Sequence, residues 1–300
     1  NLEIDGQYGN TFEFWLNKDG MRAPIAGRSE VIFDIHTKDQ PSGSSGYGRF
    51  LLEIERTDSG KPFRLTYVSG NVGFMKQSVC LDIPSASIGS QDSVLTDKKW
   101  HHYAITVANK DNNLQANFYV DGVLNRTETK TGVNIKRVTG NMEGTVGVLA
   151  AHDPSSATVA VPTSTERYGA LFGSVDDLRF WKTERDAREI GSFYDKAVYG
   201  ATEEDVNRDP KLGLYYKFNE GITGDSSIDK IVLDYSGRLN NGNFENYQTS
   251  KSRALGSAIT LSDSPNTEPP DPIIYLHDHS SVQSALNKYI QIGRSYDLKN

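Results

Sequence analysis

Up to about residue 180, apolar and polar residues alternate with period two, the pattern of β-strands with one face buried. TFEFWL (11–16), VIFDIH (31–36), FLLEIE (50–55), FRLTYV (63–68), HYAITV (102–107), LQANFYV (114–120) and VDDLRFW (175–181) all carry it. Turn-forming clusters separate them, among them PSGSSGYG at 41–48, KDNN at 110–113 and DG at 121–122. Asp121-Gly122 stands between NFYV and VLNRT. Primed two-residue turns need positive φ, so this pair predicts a hairpin joining strands over 114–120 and 123–128. Many short strands of this kind make a sandwich or a barrel.

One segment changes period. In KTERDAREIGSFYDKA (182–197), Thr183 precedes Asp186 by three residues in a capping-box-like start. Ala187, Ile190 and Tyr194 then recur at helical spacing, which predicts one short helix over roughly 184–196 packed on the sandwich. After the polar stretch 201–211, strands are predicted to resume with LGLYYKFNEG (212–221). They continue through VLDYSGRLNNGNFENY (232–247) to ALGSAITLSD (254–263). The proline-rich run SPNTEPPDP (264–272) reads as a linker. The expected organisation is a sandwich over 1–200, strands completing or packing on it over 201–262, a linker over 263–272, and the start of a further module over 273–300.

Composition narrows the classes of partner. The formal net charge is −7 and the basic residues are scattered, which disfavours nucleic acid. Mean hydropathy is −0.54, and no apolar run approaches the ~20 residues that cross a bilayer, so membrane insertion is not expected. Cys80 is the only cysteine, which removes any intrachain disulfide framework. The opening NLEIDGQYGN carries neither a basic nor an apolar leader region, and reads as an interior segment or a processed chain.

Several of these strings resemble a known family. WHHYAITVANKDNNLQANFYVDGVLN (100–125) is similar to the central hairpin of concanavalin A-like, laminin-G-like jelly rolls, with its Trp-His-His start and YVDG turn. GSVDDLRFWKTERDAREI (173–190) resembles the closing strand and short helix, and NTFEFWL (10–16) an early core strand. LYYKFNEG (214–221) followed by LDYSGRLNNGNFEN (233–246) resembles the family's opening, here displaced to the C-terminal side. No second EFW or WHHY string follows, so closure of the first sandwich is expected over a second unit. The fold implied is an all-β, antiparallel β-sandwich with one short helix. NTFEFWL, VIFDIH, YYKFNEGITG and GRSYD together also resemble laminin-G-type insertions in the tail and baseplate proteins of tailed phages.

Candidate chemistry is sparse. Neighbours on a strand point to opposite faces, so His101 and His102 cannot ligate one metal. Trp100, His102, Ala104 and Thr106 should share one face; His101, Tyr103, Ile105 and Val107 should share the other. Glycosidases of this fold carry an E-x-D-x-x-E or E-x-D-x-E strand, and need carboxylates ~5–5.5 or ~6.5–9.5 Å apart. LEIDGQ (2–7) offers Glu3 and Asp5 and then Gly6-Gln7; LEIERTD (52–58) offers Glu53 and Glu55 without a third acid in phase. Both departures point away from catalysis. The resemblance implies a structural calcium at the start of the closing strand, where Asp176 is the matching position. Acceptance of backbone N–H bonds at a strand entry is that residue's other role. Asp177 is expected with Arg179 on the outer face, and Asp176 with Leu178 and Phe180. His277, Asp278 and His279 form a second metal-like string, and Asn125-Arg126-Thr127 a glycosylation sequon for a secreted chain.

The function implied is a non-enzymatic adhesion domain of a phage virion, assembled with other virion subunits and contacting host-surface glycans. A secreted lectin-like module is the alternative, and a hydrolase of the same fold is the third reading.

Overall fold

The computed structural model describes residues 2–21, 29–38, 40, 43–56, 60–80, 94–149, 169–198, 211–249, 251–254 and 257–259. Its strands are β1 (Asn10–Asn17), β2 (Ser29–Thr37), β3 (Gly48–Glu55), β4 (Phe63–Ser69), β5 (Val72–Ser78), β6 (Trp100–Lys110), β7 (Asn113–Val120), β8 (Val123–Lys130), β9 (Met142–Val146), β10 (Ser174–Trp181) and β11 (Leu212–Tyr216). They form two antiparallel sheets, ordered β11-β10-β1-β6-β7-β8 and β5-β4-β3-β2-β9. A small third ladder pairs β12 (Ile231–Val232) with β13 (Gly242–Asn243).

Period-two alternation supplies the core. Phe12 and Phe14 of β1, and Tyr103, Ile105 and Val107 of β6, turn inward onto Phe33, Phe50, Leu52 and Phe63 of the facing sheet. Aromatic rings bridge the layers: Phe12 stacks on Phe33 with centroids 3.4 Å apart, and Phe33 and Tyr67 each meet Phe50 edge-on at 4.9 Å. Aromatic pairs in these arrangements add stability beyond their buried area. The opposite parity of β6 faces outward, as the alternation requires, and Ala104 packs with Tyr119 under Ile190.

That outer face is covered by helix α1 (Ala187–Phe193). It is shorter than the sequence pattern indicates, and its cap lies elsewhere. Asp186, not Thr183, is the N-cap: its side chain accepts from the Glu189 N–H at 2.7 Å, and the Glu189 carboxylate accepts from the Asp186 N–H at 2.8 Å. Thr183 is drawn instead towards the backbone, its hydroxyl 3.5 Å from the Tyr8 carbonyl.

Two primed hairpins follow one another. Asp111 and Asn112 (φ 47° and 63°) join β6 to β7, and Asp121 and Gly122 (φ 48° and 76°) join β7 to β8. At Gly122 the turn also passes under the helix, and a Cβ there would lie 2.6 Å from the Tyr194 ring.

The strand pattern missed some elements and over-read others. β5 and β9 lie at the edges of their sheet and lack clean alternation. Residues 232–247 are mostly turns, and a second, one-turn helix α2 (Ser226–Asp229) precedes them. β11 pairs with β10 through Leu178↔Tyr216 and Arg179↔Tyr215, extending the first sheet. The expected linker, the further module and the His277-Asp278-His279 string lie outside the described residues, as does most of ALGSAITLSD. Among the described residues, no helix is long and apolar enough to cross a membrane.

Candidate functional site

Three segments remote in sequence meet at one end of the sandwich. They are the N-terminal stretch before β1, the β6–β7 turn, and the chain that follows β8. Together they line a cleft of about 610 Å³ walled by Asp5, Gln7, Tyr8, Asn109, Asp111, Asn112, Asn134, Ile135, Lys136 and Arg137. That volume falls within the ~300–1,000 Å³ typical of small-ligand sites.

Backbone hydrogen bonds fix the walls. The Asn109 N–H donates to Gly6 O at 2.7 Å, and the Val138 N–H to Ile4 O at 2.9 Å. The Asn109 side chain then behaves like a strand partner: its Nδ2 donates to Ile135 O at 2.9 Å while its Oδ1 accepts from Ile135 N at 3.0 Å. Gly6 makes the approach feasible, since a Cβ there would come within 2.5 Å of Ile135 Cγ1 and 2.7 Å of its carbonyl oxygen. Asn113 Oδ1 holds the Gly132 N–H at 3.0 Å, and Arg137 is tied to Glu3 at 2.6 Å.

The polar groups within these walls are unevenly used. Asp5 is 7% exposed, one of its oxygens accepts the Gln7 N–H at 2.8 Å, and the other has no donor among the described residues. Its turn is anchored to the core through Asn10, whose Oδ1 accepts from Asp5 N at 3.2 Å and from the Tyr67 hydroxyl at 2.8 Å. Burial, with the Asp5 charge added, pushes the Tyr67 hydroxyl pKa well above its ordinary value. The side-chain polar groups of Gln7, Tyr8, Asp111 and Lys136 have no partner among the described residues, and Tyr8 is 66% exposed at the rim. An open aromatic face beside free carboxylate, amide and ammonium groups can bind a ligand with apolar C–H faces and many hydroxyls.

The residues singled out in the sequence lie elsewhere, apart from Asp5. His101 sits at the rim of the sheet between two carboxylates, its Nδ1 2.7 Å from Asp121 and its Nε2 3.1 Å from Asp97. Burial opposes its charge, but the two acids outweigh that and raise its pKa. His102 lies on the other face, with Nε2 3.3 Å from Glu13. Glu13 is fully buried and also meets Arg185 at 2.6 Å and Arg179 at 3.7 Å. Burial would raise its pKa, yet Arg185, His102 and Arg179 together hold it down at about 2. Glu55 is paired with Arg64 at 2.8 Å on the second sheet. Cys80 is buried and outside any disulfide, and Asn125–Thr127 fall on the edge strand β8.

Asp176 departs from its expected face. The register runs Glu13↔Arg179 and Trp15↔Asp176, so β10 has one residue more than β1 between these pairs. Asp177, at φ 47°, is the bulged residue. The bulge reverses the phase, placing Asp176 across from outward-facing Trp15 instead of beside Leu178 and Phe180. Asp177 binds Arg179 as expected, with its Oδ1 accepting from Nε at 2.8 Å. Asp176 Oδ2 accepts the Ala258 N–H at 2.6 Å. Burial first, and then the neighbouring Asp177 charge, push its pKa up to about 8. Calcium needs six or more oxygen ligands around ionised carboxylates. Among the described residues no group of three His, Cys, Asp or Glu is gathered to hold a metal ion.

The architecture is thus a two-layer antiparallel β-sandwich with a polar cleft at one end. The family profile of the concanavalin A-like lectin/glucanases superfamily matches residues 2–191, and the chain belongs to that family. Solved structures similar to it include a candidate carbohydrate-binding protein of Bacteroides ovatus (14% identity, 80% of this chain and 52% of that one, TM-score 0.43). A SAP-like pentraxin of Limulus polyphemus is similar at 13% identity, over 64% of this chain and 72% of that one, with a TM-score of 0.33. Tailspike protein 2 of the Escherichia coli O157:H7 bacteriophage CAB120 is similar at 12% identity, over 72% of this chain and 24% of that one, with a TM-score of 0.36. The chain spans about half the length of the first of these. A comparison with curated protein sequences finds no match.

Proposed function

We propose that this sandwich is a non-catalytic glycan-binding module and that the cleft between the N-terminal stretch and the β6–β7 turn is its binding site. The observation that carries the reading is the set of unused polar groups on Asp5, Gln7, Asp111 and Lys136 beside the exposed Tyr8 ring. Family membership agrees, since the superfamily contains lectins as well as glucanases, and fold alone does not choose between them. An open, rim-stacked site gives weak binding per copy, so affinity would come from several copies presented together.

A glycan array followed by calorimetry tests the reading. The chain should bind at least one glycan class, and Tyr8→Ala should abolish that binding without lowering the melting temperature. Binding that survives Tyr8→Ala moves the site elsewhere.

The setting proposed is the tail or baseplate of a phage particle, where the module would sit among other virion subunits and touch the host surface. The support is the likeness of NTFEFWL, VIFDIH and YYKFNEGITG to laminin-G-type insertions of such proteins. Antibodies to the module should decorate tails in electron micrographs, and labelling of a secreted fraction instead would favour a free lectin. One observation favours hydrolysis as a second reading, because two carboxylates, Asp5 and Asp111, line the same cleft. Reducing-sugar release by the wild type that is lost in Asp5→Asn would establish it.

A further inference from the structure

We infer that Asp5 binds a sugar through its hydroxyls and excludes acidic sugars. This rests on the glycan reading of the cleft. Asp5 is more than nine-tenths buried, and its second oxygen has no donor among the described residues. That oxygen opens to the cleft, where hydrogen on a ligand can take the place of water. Sugar hydroxyls supply such hydrogen.

The remaining charges set the sign of the site. Arg137 is neutralised by Glu3 at 2.6 Å. That leaves the carboxylates of Asp5 and Asp111 against the single ammonium of Lys136, an excess of one negative charge in the lining. A uronic or sialic acid would bring a second carboxylate towards Asp5. Like charges at short range disfavour that ligand, and more strongly where water is partly excluded. Asp5 is also held rigidly, because its amide is bound by Asn10 Oδ1 and its carbonyl by the Gly9 N–H at 2.8 Å. Its carboxylate is tethered in turn by the Gln7 N–H at 2.8 Å, a bond it would have to break to turn away from an anion. Tyr8, at the rim, supplies the stacking face and no charge discrimination.

Competition calorimetry with the methyl glycosides of glucose, mannose, galactose and glucuronic acid provides the test. At least one of the three neutral hexosides should bind, and the glucuronide should not compete. Asp5→Asn keeps an oxygen for the Gln7 N–H while removing the charge. It should weaken the neutral hexoside about tenfold or more, the effect of losing one hydrogen bond to a charged group. Asp111→Asn lies on an exposed turn with no side-chain partner to lose, so it tests the charge argument where folding is not at stake. It should narrow the preference for neutral hexoside over glucuronide. The inference is overturned if the wild type binds the glucuronide as well as the hexosides. It is equally overturned if the preference for neutral hexoside over glucuronide survives Asp5→Asn unchanged. Failure of every glycoside and of the array would remove the glycan reading itself, whereas array binding with an acidic preference would remove only the role of Asp5.

Discussion

Glu13 lies at the centre of the buried charge cluster beneath α1, and replacing it with Gln should be among the most damaging single changes in the sheet. The carboxylate is 0% exposed and contacts Arg185, His102 and Arg179. Arg185 also stacks on Trp181, its guanidinium carbon 4.3 Å from the ring centroid. Holding the Glu13 pKa at about 2 against an ordinary 4.5 corresponds to ~3 kcal/mol, at 1.36 kcal/mol per unit. Removing one partner of a buried ion pair costs about 3–5 kcal/mol, because the other charge is left without compensation. Both routes give the same order. A folded-state pKa below the unfolded one contributes stability that is fully present above about pH 4.5. That stability is lost as pH falls towards 2. Urea unfolding of wild type and Glu13→Gln at pH 7 should therefore differ by about 3 kcal/mol, and the gap should shrink between pH 4.5 and 2. Asp19→Asn is the control, since its partner Lys98 is 70% exposed and such pairs contribute little; its midpoint should not move. A Glu13→Gln variant within about 1 kcal/mol of wild type at pH 7, or a gap that does not depend on pH, would refute the argument.

Replacing Gly122 with Val should destabilise the fold by about 1 kcal/mol or more, since the residue needs positive φ and has the Tyr194 ring within reach; an unchanged melting temperature would contradict this. His101 is more easily protonated in the fold than in the unfolded chain. Its contribution is therefore complete below about pH 6.5 and disappears as pH rises through the raised folded value. A His101→Gln variant should lose that part of the pH slope in thermal melts. Asp176 shows the opposite imbalance for a carboxylate. With its pKa raised from 3.8 to about 8, ionisation opposes folding, so stability should decline from about pH 4 to pH 8. Asp176→Asn should consequently melt higher than wild type at pH 8 and close to it at pH 4, and a lower melting point at pH 8 would show the group to be ionised and stabilising.

The legible part of this chain is the part with a repeat distance. Tyr103, Ile105 and Val107 against His102, Ala104 and Thr106 could be assigned to faces from spacing alone, because a strand with one buried face has only two registers. Edge strands give no such signal, and β5 and β9 escape it for that reason: Val72 and Val146 are exposed where alternation with Phe74 and Met142 would call for burial. The bulge at Asp177 is invisible to any period-two reading, since a single left-handed residue shifts every later side chain by one face. For that reason Asp176 could not be placed by counting from Leu178. The cleft follows a different logic. Glu3 and Asp5 were weighed as half of a hydrolase signature along one strand, where the search requires its acids in a fixed local spacing. In the fold Glu3 is occupied by Arg137, and the residues that line the cleft with Asp5 come from the β6–β7 turn and from the chain after β8. Binding residues carried on loops converge through the scaffold, and no spacing in the sequence records that convergence. The only local trace was KDNN, which reads simply as a turn. Asn109, just before that turn, is the residue that joins Gly6 to Ile135, so the glycine that lets those walls close explains the site better than any pair of acids in the sequence.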